Sequence, residues 1–320
     1  MTARIIGTGS CLPIKEVSNF DLEKIMDTTD EWIKSRTGIE KRHIAVEETT
    51  TSMAIEAAKR ALENAGVGAE ELDLIVVGTV SADRHFPSTA CEIQSTLGAD
   101  KAVAFDINAA CSGFLFGLSI ANAYFASGCF KKALVIGAET LSKMMDWNDR
   151  STCVLFGDGA GAAIVEAADT GIVSMVQGSD GARGGVLSCY NRPVNNPFVT
   201  NDTALDYTSM TGQEVYKFAV RTVPEAILKV LKEGNVNPDE VKYFVLHQAN
   251  IRIIEAVAKR LNQPMEKFPT NLQKCGNISA ASVPILLDEV NRIGMINKGD
   301  KVVLAGFGAG LTWGAALLDW

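Results

Sequence analysis

Short continuous apolar runs punctuate the chain: IVVGT at 75–79, AVAFDI at 102–107, KALVIGA at 132–138, YFVLHQ at 243–248 and VVLAGF at 302–307. Runs of this kind read as strands buried on both faces. Helical patterns alternate with them, which predicts α/β architecture. The alanines at 54, 57, 58, 61 and 65 would let helices approach closely.

The pattern repeats. TSMAIEAAKRALENAGVGAEELDLIVVGT at 51–79 gives an alanine-rich helix, a glycine-containing turn, an acidic stretch and a strand. VPEAILKVLKEGNVNPDEVKYFVLHQA at 223–249 gives the same order, with Leu72–Val77 and Val241–Leu246 as matching strands. Each half closes with a glycine-rich turn into an apolar strand, FGDGAGAAIVEA at 156–167 and GFGAGLTWGAALLDW at 306–320. Such repetition points to two related halves packed into one body. No Pro, Ser or charge-rich linker separates them, and the segment 190–210, with NRPVNNPF, reads as a loop.

From Ile107 to Phe130 there is no charged side chain, a length that could span a bilayer. Asn108, Ser112, Ser119, Asn122, Ser127 and three glycines interrupt it. A helix of this kind belongs to the centre of a large soluble core, between two mixed sheets, so no membrane association is expected.

Composition narrows the function. The 320 residues are 47% hydrophobic and 21% charged, and the formal charge is −8, which argues against nucleic acid as a main partner. Seven cysteines, at 11, 91, 111, 129, 153, 189 and 275, form no CxxC and no zinc spacing. That fits a reducing cytosol, with most of them acting as small core residues. The start, MTARIIGTGSCLP, lacks the features of a signal peptide, so a cytoplasmic location is expected.

Cys111 follows the strand 102–107 and opens the uncharged helix. Chemistry in α/β sheets collects at the carboxyl ends of strands. A helix N-terminus favours a thiolate, so Cys111 is expected to be anionic, and Ala109, Ala110 and Gly113 leave room for a substrate. The alternative is a buried structural cysteine. His247 ends the strand YFVLH, whereas His85 and His43 read as surface residues. None has metal-ligand spacing, so no metal is expected. Asn277, in KCGNISAAS, fits turn and N-cap chemistry if taken alone. Cys, His and Asn at the ends of separate elements allow nucleophilic catalysis but do not choose a reaction. Neither a papain-like CGSCW signature nor GxSxG occurs. GDGAGA at 157–162 fits GxGxxA, but a strand rather than a helix follows, so tight backbone approach is the better reading than nucleotide binding.

Together DINAACSGF, VLHQANIRI, KCGNISAAS, FGDGAGAA and GFGAGLTWGAALL resemble the β-ketoacyl-acyl carrier protein synthase III family, the initiating condensing enzymes of bacterial fatty-acid synthesis in the thiolase superfamily. The resemblance runs from DEWIKSRTGI at 30–39 to the C-terminus. It implies a thiolase-like duplicated five-layer α-β-α-β-α sandwich and a homodimer. The half 1–170 would carry the nucleophilic cysteine and the half 171–320 the His/Asn pair.

By the same resemblance Cys111 is the acyl-accepting nucleophile, and His247 and Asn277 are the decarboxylation pair. The backbone N–H groups of Cys111 and Ala309 form the oxyanion hole. Trp32, Arg36 and Thr37 match the coenzyme A-binding segment, and Arg150 the arginine that joins Trp32 around the adenine. Gly212, Tyr216, Ala249, Asn250 and Arg252 match the channel for the pantetheine arm. Phe86 matches the gate lent to the partner subunit's acyl pocket, with Leu141 also near that pocket. Lys217, Arg252, Lys259 and Arg260 are candidates for docking an acidic carrier protein; Arg252 and Lys259 are seven apart and share a helix face. The sequence departs from the family at Ala309, often glycine, at Cys275, often aromatic, and at Tyr216, often phenylalanine.

The implied partners are a short acyl-coenzyme A, a substrate rather than a cofactor, and malonyl-acyl carrier protein; no metal or redox cofactor is implied. Rival readings are a condensing enzyme of polyketide or quinolone type, a cysteine thioesterase or hydrolase, and a non-catalytic acyl-carrier-binding protein.

Overall fold

The computed structural model describes residues 1–201 and 206–320; residues 202–205 of the loop read at 190–210 lie outside the described residues. The strands that carry the core are β1 (Thr2–Cys11), β2 (Leu74–Gly78), β3 (Val103–Ile107), β4 (Lys132–Thr140), β5 (Asp158–Ala168), β6 (Ile172–Ser179), β7 (Val241–Leu246), β8 (Lys301–Gly308) and β9 (Thr312–Asp319). The helices packed on them are α1 (Asp30–Thr37), α2 (Thr50–Ala65), α3 (Thr89–Leu97), α4 (Gly113–Ala126), α5 (Gly212–Glu233), α6 (Ile251–Leu261) and α7 (Ser282–Arg292).

The first sheet has the order β1-β5-β4-β2-β3 and the second β6-β9-β8-β7. The two follow one plan. β1 and β5, then β5 and β4, pair antiparallel, while β4 and β2 pair parallel. β6 and β9, then β9 and β8, pair antiparallel, while β8 and β7 pair parallel. The repeat seen in the sequence is therefore a repeat of strand order and direction. β3 extends the first sheet beyond β2, and the second sheet has no counterpart among the described residues.

Period-2 alternation sorts the side chains into layers. Ile75, Val77, Leu134 and Ile136 face the small-residue stripe of α2, where Ala54, Ala57, Ala58 and Ala61 are fully buried. Leu74, Val76, Ala133 and Val135 face the other way, onto Phe114, Leu118 and Phe125 of α4 and onto α7. Val302 and Leu304 of the second sheet close the same cluster from the opposite side. Val303, Ala305 and Phe307 then point outward to α5 and α6. The layers run α-β-α-β-α, with α4 and α7 at the centre.

The uncharged stretch is shorter as a helix than the pattern suggests. It begins at Gly113 after a 3-10 turn at Ala110–Ser112 and ends at Ala126. Likewise the strand read at Leu72–Val77 begins at Leu74, because a 3-10 turn at Ala69–Glu71 still holds Leu72 by its N–H. GDGAGA runs into β5 from Asp158 onward, with Gly157 just before the strand, rather than leading into a helix. Of the seven cysteines, 111, 153 and 275 are buried, 11 and 189 intermediate, and 91 and 129 exposed, so the expectation that most fill the core fails.

A row of glycines lets the central helices come close. Gly78, Gly137 and Gly161 lie side by side on β2, β4 and β5. A Cβ at Gly137 would stand 2.1 Å from the Ala280 carbonyl oxygen, in the turn that leads into α7. No rearrangement of a flexible side chain relieves a clash with backbone, so only glycine fits.

Among the described residues no helix is long and apolar enough to cross a membrane. Leu118, fully buried in α4, is expected to cost about 2–5 kcal/mol when replaced by alanine. Ile14→Ala, at a site 91% exposed, should change stability by about 0.5 kcal/mol or less. Chemical denaturation of the two variants beside the unchanged chain measures the difference.

Candidate active site

The end of β3 leads through Asn108 and Ala109 into the turn that carries Cys111. Ala110 adopts φ +45°, a strained conformation for a residue with a side chain, so the turn is held by its surroundings. One holder is Thr312, whose hydroxyl lies 2.9 Å from the Ala109 carbonyl and 3.0 Å from the Ala309 carbonyl. It ties the cysteine turn to the loop after β8. Gly308, the last residue of β8, passes so close that a Cβ would stand 2.7 Å from the Cys111 nitrogen and 2.8 Å from its Cβ. Ala309 is not among the described non-glycine residues with positive φ, so the loop accommodates an alanine there.

His247 follows β7, and its N–H donates to the Ala305 carbonyl at 2.8 Å. Gln248 fixes the next step of chain, donating to the Leu246 carbonyl and accepting from the Asn271 N–H. The imidazole stands edge-on to Phe307 with centroids 5.5 Å apart. Its Nδ1 is buried without a hydrogen-bond partner among the described residues. A buried N–H with no acceptor costs more than a lone pair, so the proton belongs on Nε2.

Asn277 is pinned from both sides. Its N–H donates to the Leu155 carbonyl at 2.9 Å and its carbonyl accepts from the Gly157 N–H at 3.0 Å. Its side-chain oxygen accepts from the Ser279 N–H at 2.9 Å, the turn chemistry expected of it. The amide nitrogen is thereby left as a donor. This turn is the second copy of the cysteine turn: Asn277 matches Asn108, Ser279 at φ +44° matches Ala110, and Ala280 stands where Cys111 stands.

Cys111, His247 and Asn277, at most 7% exposed, line one cavity of about 670 Å³. Thr37, Gly212, Tyr216, Lys217, Ala249, Asn250 and Arg252 line it too, as do half-buried Trp32 and exposed Arg36. The Asn250 side chain joins two walls by donating to the Arg36 carbonyl at 3.0 Å. Arg36 and Arg150 lie over the Trp32 ring, their guanidinium carbons 4.7 and 5.2 Å from its centroid. A third wall, Val154–Phe156, is fixed by buried Arg42, which donates to the Val154 carbonyl.

Six expected residues do not line the cavity: Arg150, which lies over Trp32, Ala309, which follows the lining residue Gly308, and Phe86, Leu141, Lys259 and Arg260. Phe86 is 86% exposed and Leu141 is buried, and neither lines the cavity in this chain. Lys259 and Arg260 lie on α6 outside it. Arg260 is paired with Glu225 and Lys217 with Glu214, whereas Arg252 and Lys259 have no ion-pair partner among the described residues. His43, expected at the surface, is half-buried, with Nδ1 2.7 Å from the Pro13 carbonyl; His85 is exposed. Leu187 and Met210 also line the cavity; they face each other in a two-stranded ribbon, and nothing in their local pattern sets them apart.

The electrostatics correct one expectation. Burial pushes the Cys111 thiol up to about 12, and the negative Glu139 carboxylate nearby adds to the rise, against a lowering by Ser279. Desolvation is the largest cause, and it favours the thiol at neutral pH. Burial also holds His247 down to about 3, so its ring is neutral.

A neutral buried histidine links stability to pH. Unfolded, His247 takes a proton near 6.5; folded, it refuses one until about 3. The unfolded state therefore binds more protons in this window, and stability falls as pH drops through it. The melting temperature of His247→Asn should fall less steeply with acidification than that of the unchanged chain, a comparison that thermal denaturation across this range makes directly.

Residues 105–181 match the family described as 3-Oxoacyl-[acyl-carrier-protein (ACP)] synthase III, and residues 231–320 match its C-terminal counterpart. The β-ketoacyl-[acyl-carrier-protein] synthase III of Clostridium acetobutylicum is 48% identical over 321 residues, covering 100% of this chain and 99% of that protein. That of Clostridium novyi is 51% identical over 319 residues, covering 99% and 98%. The crystal structure of the Aquifex aeolicus VF5 3-oxoacyl-[acyl-carrier-protein] synthase III superimposes with TM-score 0.93 at 48% identity, covering 99% of this chain and 100% of that one. A priming β-ketosynthase of the R1128 polyketide pathway also superimposes with TM-score 0.93, at 40% identity, covering 99% and 96%. With its duplicated five-layer thiolase-type fold, the chain belongs to the β-ketoacyl-acyl carrier protein synthase III family of condensing acyltransferases.

Proposed function

We propose that this enzyme initiates fatty-acid synthesis by joining a short acyl group from acyl-coenzyme A to malonyl-acyl carrier protein, through an acyl group held on Cys111. The observation that carries the reading is the convergence of Cys111, His247 and Asn277 on one cavity whose other walls include Trp32 and Arg36. A thiol, two neutral donors and an aromatic–guanidinium pair suit a thioester on a long nucleotide-bearing arm.

In the first stage the Cys111 sulfur bonds to the acyl carbonyl carbon and the bond to coenzyme A sulfur breaks. The N–H groups of Cys111 and Ala309 receive the charge on the carbonyl oxygen. Trp32, Arg36, Thr37 and Arg150 hold the nucleotide end. Arg150 rests against Trp32 too closely for a ring between them, so adenine binding must part the two. Gly212, Tyr216, Ala249, Asn250 and Arg252 flank the pantetheine arm.

In the second stage the malonyl thioester loses carbon dioxide, and the electron pair left behind needs no base to make it. Nε2–H of His247 and the Asn277 amide hold the enolate oxygen; a neutral His247 donates there without an adjacent positive charge. The carbanion attacks the acyl-cysteine, the carbon–sulfur bond to Cys111 breaks, and a 3-oxoacyl chain remains on the carrier. On this reading acyl-coenzyme A is consumed as a substrate and no metal or redox cofactor takes part.

Lys217, Arg252, Lys259 and Arg260 would meet the acidic carrier, with Arg252 and Lys259 the two charges not engaged in ion pairs among the described residues. A homodimer paired through the edge strand β3 would give exposed Phe86 a place in a partner's acyl pocket, near Leu141. The expected setting is the cytoplasm. The likeness to a polyketide priming β-ketosynthase favours one second reading, a condensing enzyme of secondary metabolism; activity with malonyl-coenzyme A in place of malonyl-carrier would point to it.

Variants should separate the two stages. Cys111→Ala is expected to form no acyl adduct with labelled acyl-coenzyme A, measured by intact mass. His247→Ala and Asn277→Ala should still load the acyl group but release carbon dioxide from malonyl-carrier about 100–1,000-fold more slowly. Release of free acid without a carbon–carbon bond would instead make the protein a thioesterase or hydrolase.

A further inference from the structure

The two N–H groups that receive the carbonyl charge sit on elements far apart in sequence. Cys111 belongs to the turn after β3, and Ala309 to the loop between β8 and β9. Such a pair works only when both donors point at one oxygen, about 3 Å from each. Something must therefore hold the turn and the loop in register.

Thr312 sits where the two meet. It opens β9 and pairs with Gly308, the last residue of β8. Its hydroxyl donates to the Ala309 carbonyl, three residues back, at 3.0 Å, a common local contact for a threonine. The same hydroxyl reaches the Ala109 carbonyl, on the cysteine turn, at 2.9 Å. A hydroxyl has one hydrogen, so the two carbonyls share it.

Each acceptor stands next to one donor of the pair. The Ala109 carbonyl closes the cysteine turn by accepting from the Ser112 N–H at 3.0 Å. The Ala309 carbonyl belongs to the residue that supplies the other N–H, and Thr312 is its one donor among the described residues. The loop around it is tied at its ends, by the pairing of Gly308 and by the two backbone bonds between Leu311 and Asp180, while Gly310 is exposed. Without the hydroxyl, two carbonyl oxygens would face each other with no hydrogen between them, and the loop would swing away from the turn.

The first half holds a counterpart. Asp158 opens β5 and pairs with Thr140, the last residue of β4, as Thr312 pairs with Gly308. Asp158 also clamps separate segments, but by accepting, from the Ala45 N–H, the Ser142 N–H and the Ser142 hydroxyl. The fold thus uses this place as a clamp twice, with an acceptor where N–H groups converge and a donor where carbonyls do. An ionised carboxylate at 312 would have no hydrogen to give.

We propose that Thr312 is a positioning residue of acyl transfer, whose shared hydroxyl fixes the spacing of the Cys111 and Ala309 N–H groups and so their hold on the thioester oxygen as charge develops there. This deepens the acyl-cysteine reading above and rests on it. Thr312 does not line the cavity, so it acts through the turn and the loop rather than on the substrate. His247 and Asn277 are held by other contacts, to Ala305, Leu155, Gly157 and Ser279, so the decarboxylation step is independent of it.

The test is single-turnover acylation of Cys111 by a short acyl-coenzyme A at several concentrations, followed by intact mass. Thr312→Val keeps the shape of the side chain and removes the hydroxyl; it should lower the maximal rate about 100-fold and leave the half-saturating concentration within about 3-fold. Release of carbon dioxide from malonyl-carrier by the same variant should stay within about 3-fold of the unchanged enzyme. Thr312→Ser keeps the hydroxyl and should restore acylation to within about 3-fold. Thr312→Ala, which adds no methyl beside the carbonyls, gives the same comparison if the valine chain does not fold. Hydroxyl-free variants that acylate as fast as the unchanged enzyme, or that slow both reactions alike with serine no better, overturn the role of Thr312 and leave the acyl-cysteine reading intact. Failure of the unchanged enzyme to acylate Cys111 overturns both.

Discussion

Desolvation governs this site. Two sheets close over α4 and α7, and the turns at the helix starts are carried into the dry centre of the molecule. There a charge is expensive and a neutral hydrogen-bond donor is cheap. Cys111 keeps its proton, His247 refuses one, and Asn277 has none to exchange. The chemistry is organised around neutral groups that meet charge only when a substrate brings it, which is where fixed donors are most effective.

The duplication supplies the geometry. In each half a tight turn precedes a central helix, and the fold brings the two turns together. One copy carries a sulfur, and the other carries Asn277 and Ser279 with an alanine at the sulfur's position. The glycine row Gly78, Gly137 and Gly161 and Gly308 at the end of β8 let backbone approach backbone where any side chain would intrude. The halves cannot be treated as independent, because α7 of the second lies against β1 and β5 of the first.

Much of this was legible in the residues. The apolar runs marked the strands, and the repeated order of helix, turn, acidic stretch and strand foreshadowed two sheets of one plan. Cys111 and His247 could be placed at strand ends from local pattern alone. The protonation of Cys111 could not. A helix start is local, and it suggested a thiolate; burial comes from the second sheet, distant in sequence, and it wins. The central helix looked longer than it is because Asn108–Ala110 are as uncharged as the helix itself, yet turn with a positive φ. Glu139 was hidden by its neighbours: it closes a run that reads as ordinary strand, and only the fold shows that its carboxylate faces inward.

The central claim is that the resting nucleophile is a protonated thiol in a dry pocket. Ultraviolet titration of thiolate absorbance tests it most directly, taken as the difference between the unchanged enzyme and Cys111→Ser. No thiolate assignable to Cys111 should emerge below about pH 9. A thiolate step at or below neutral pH would contradict the account.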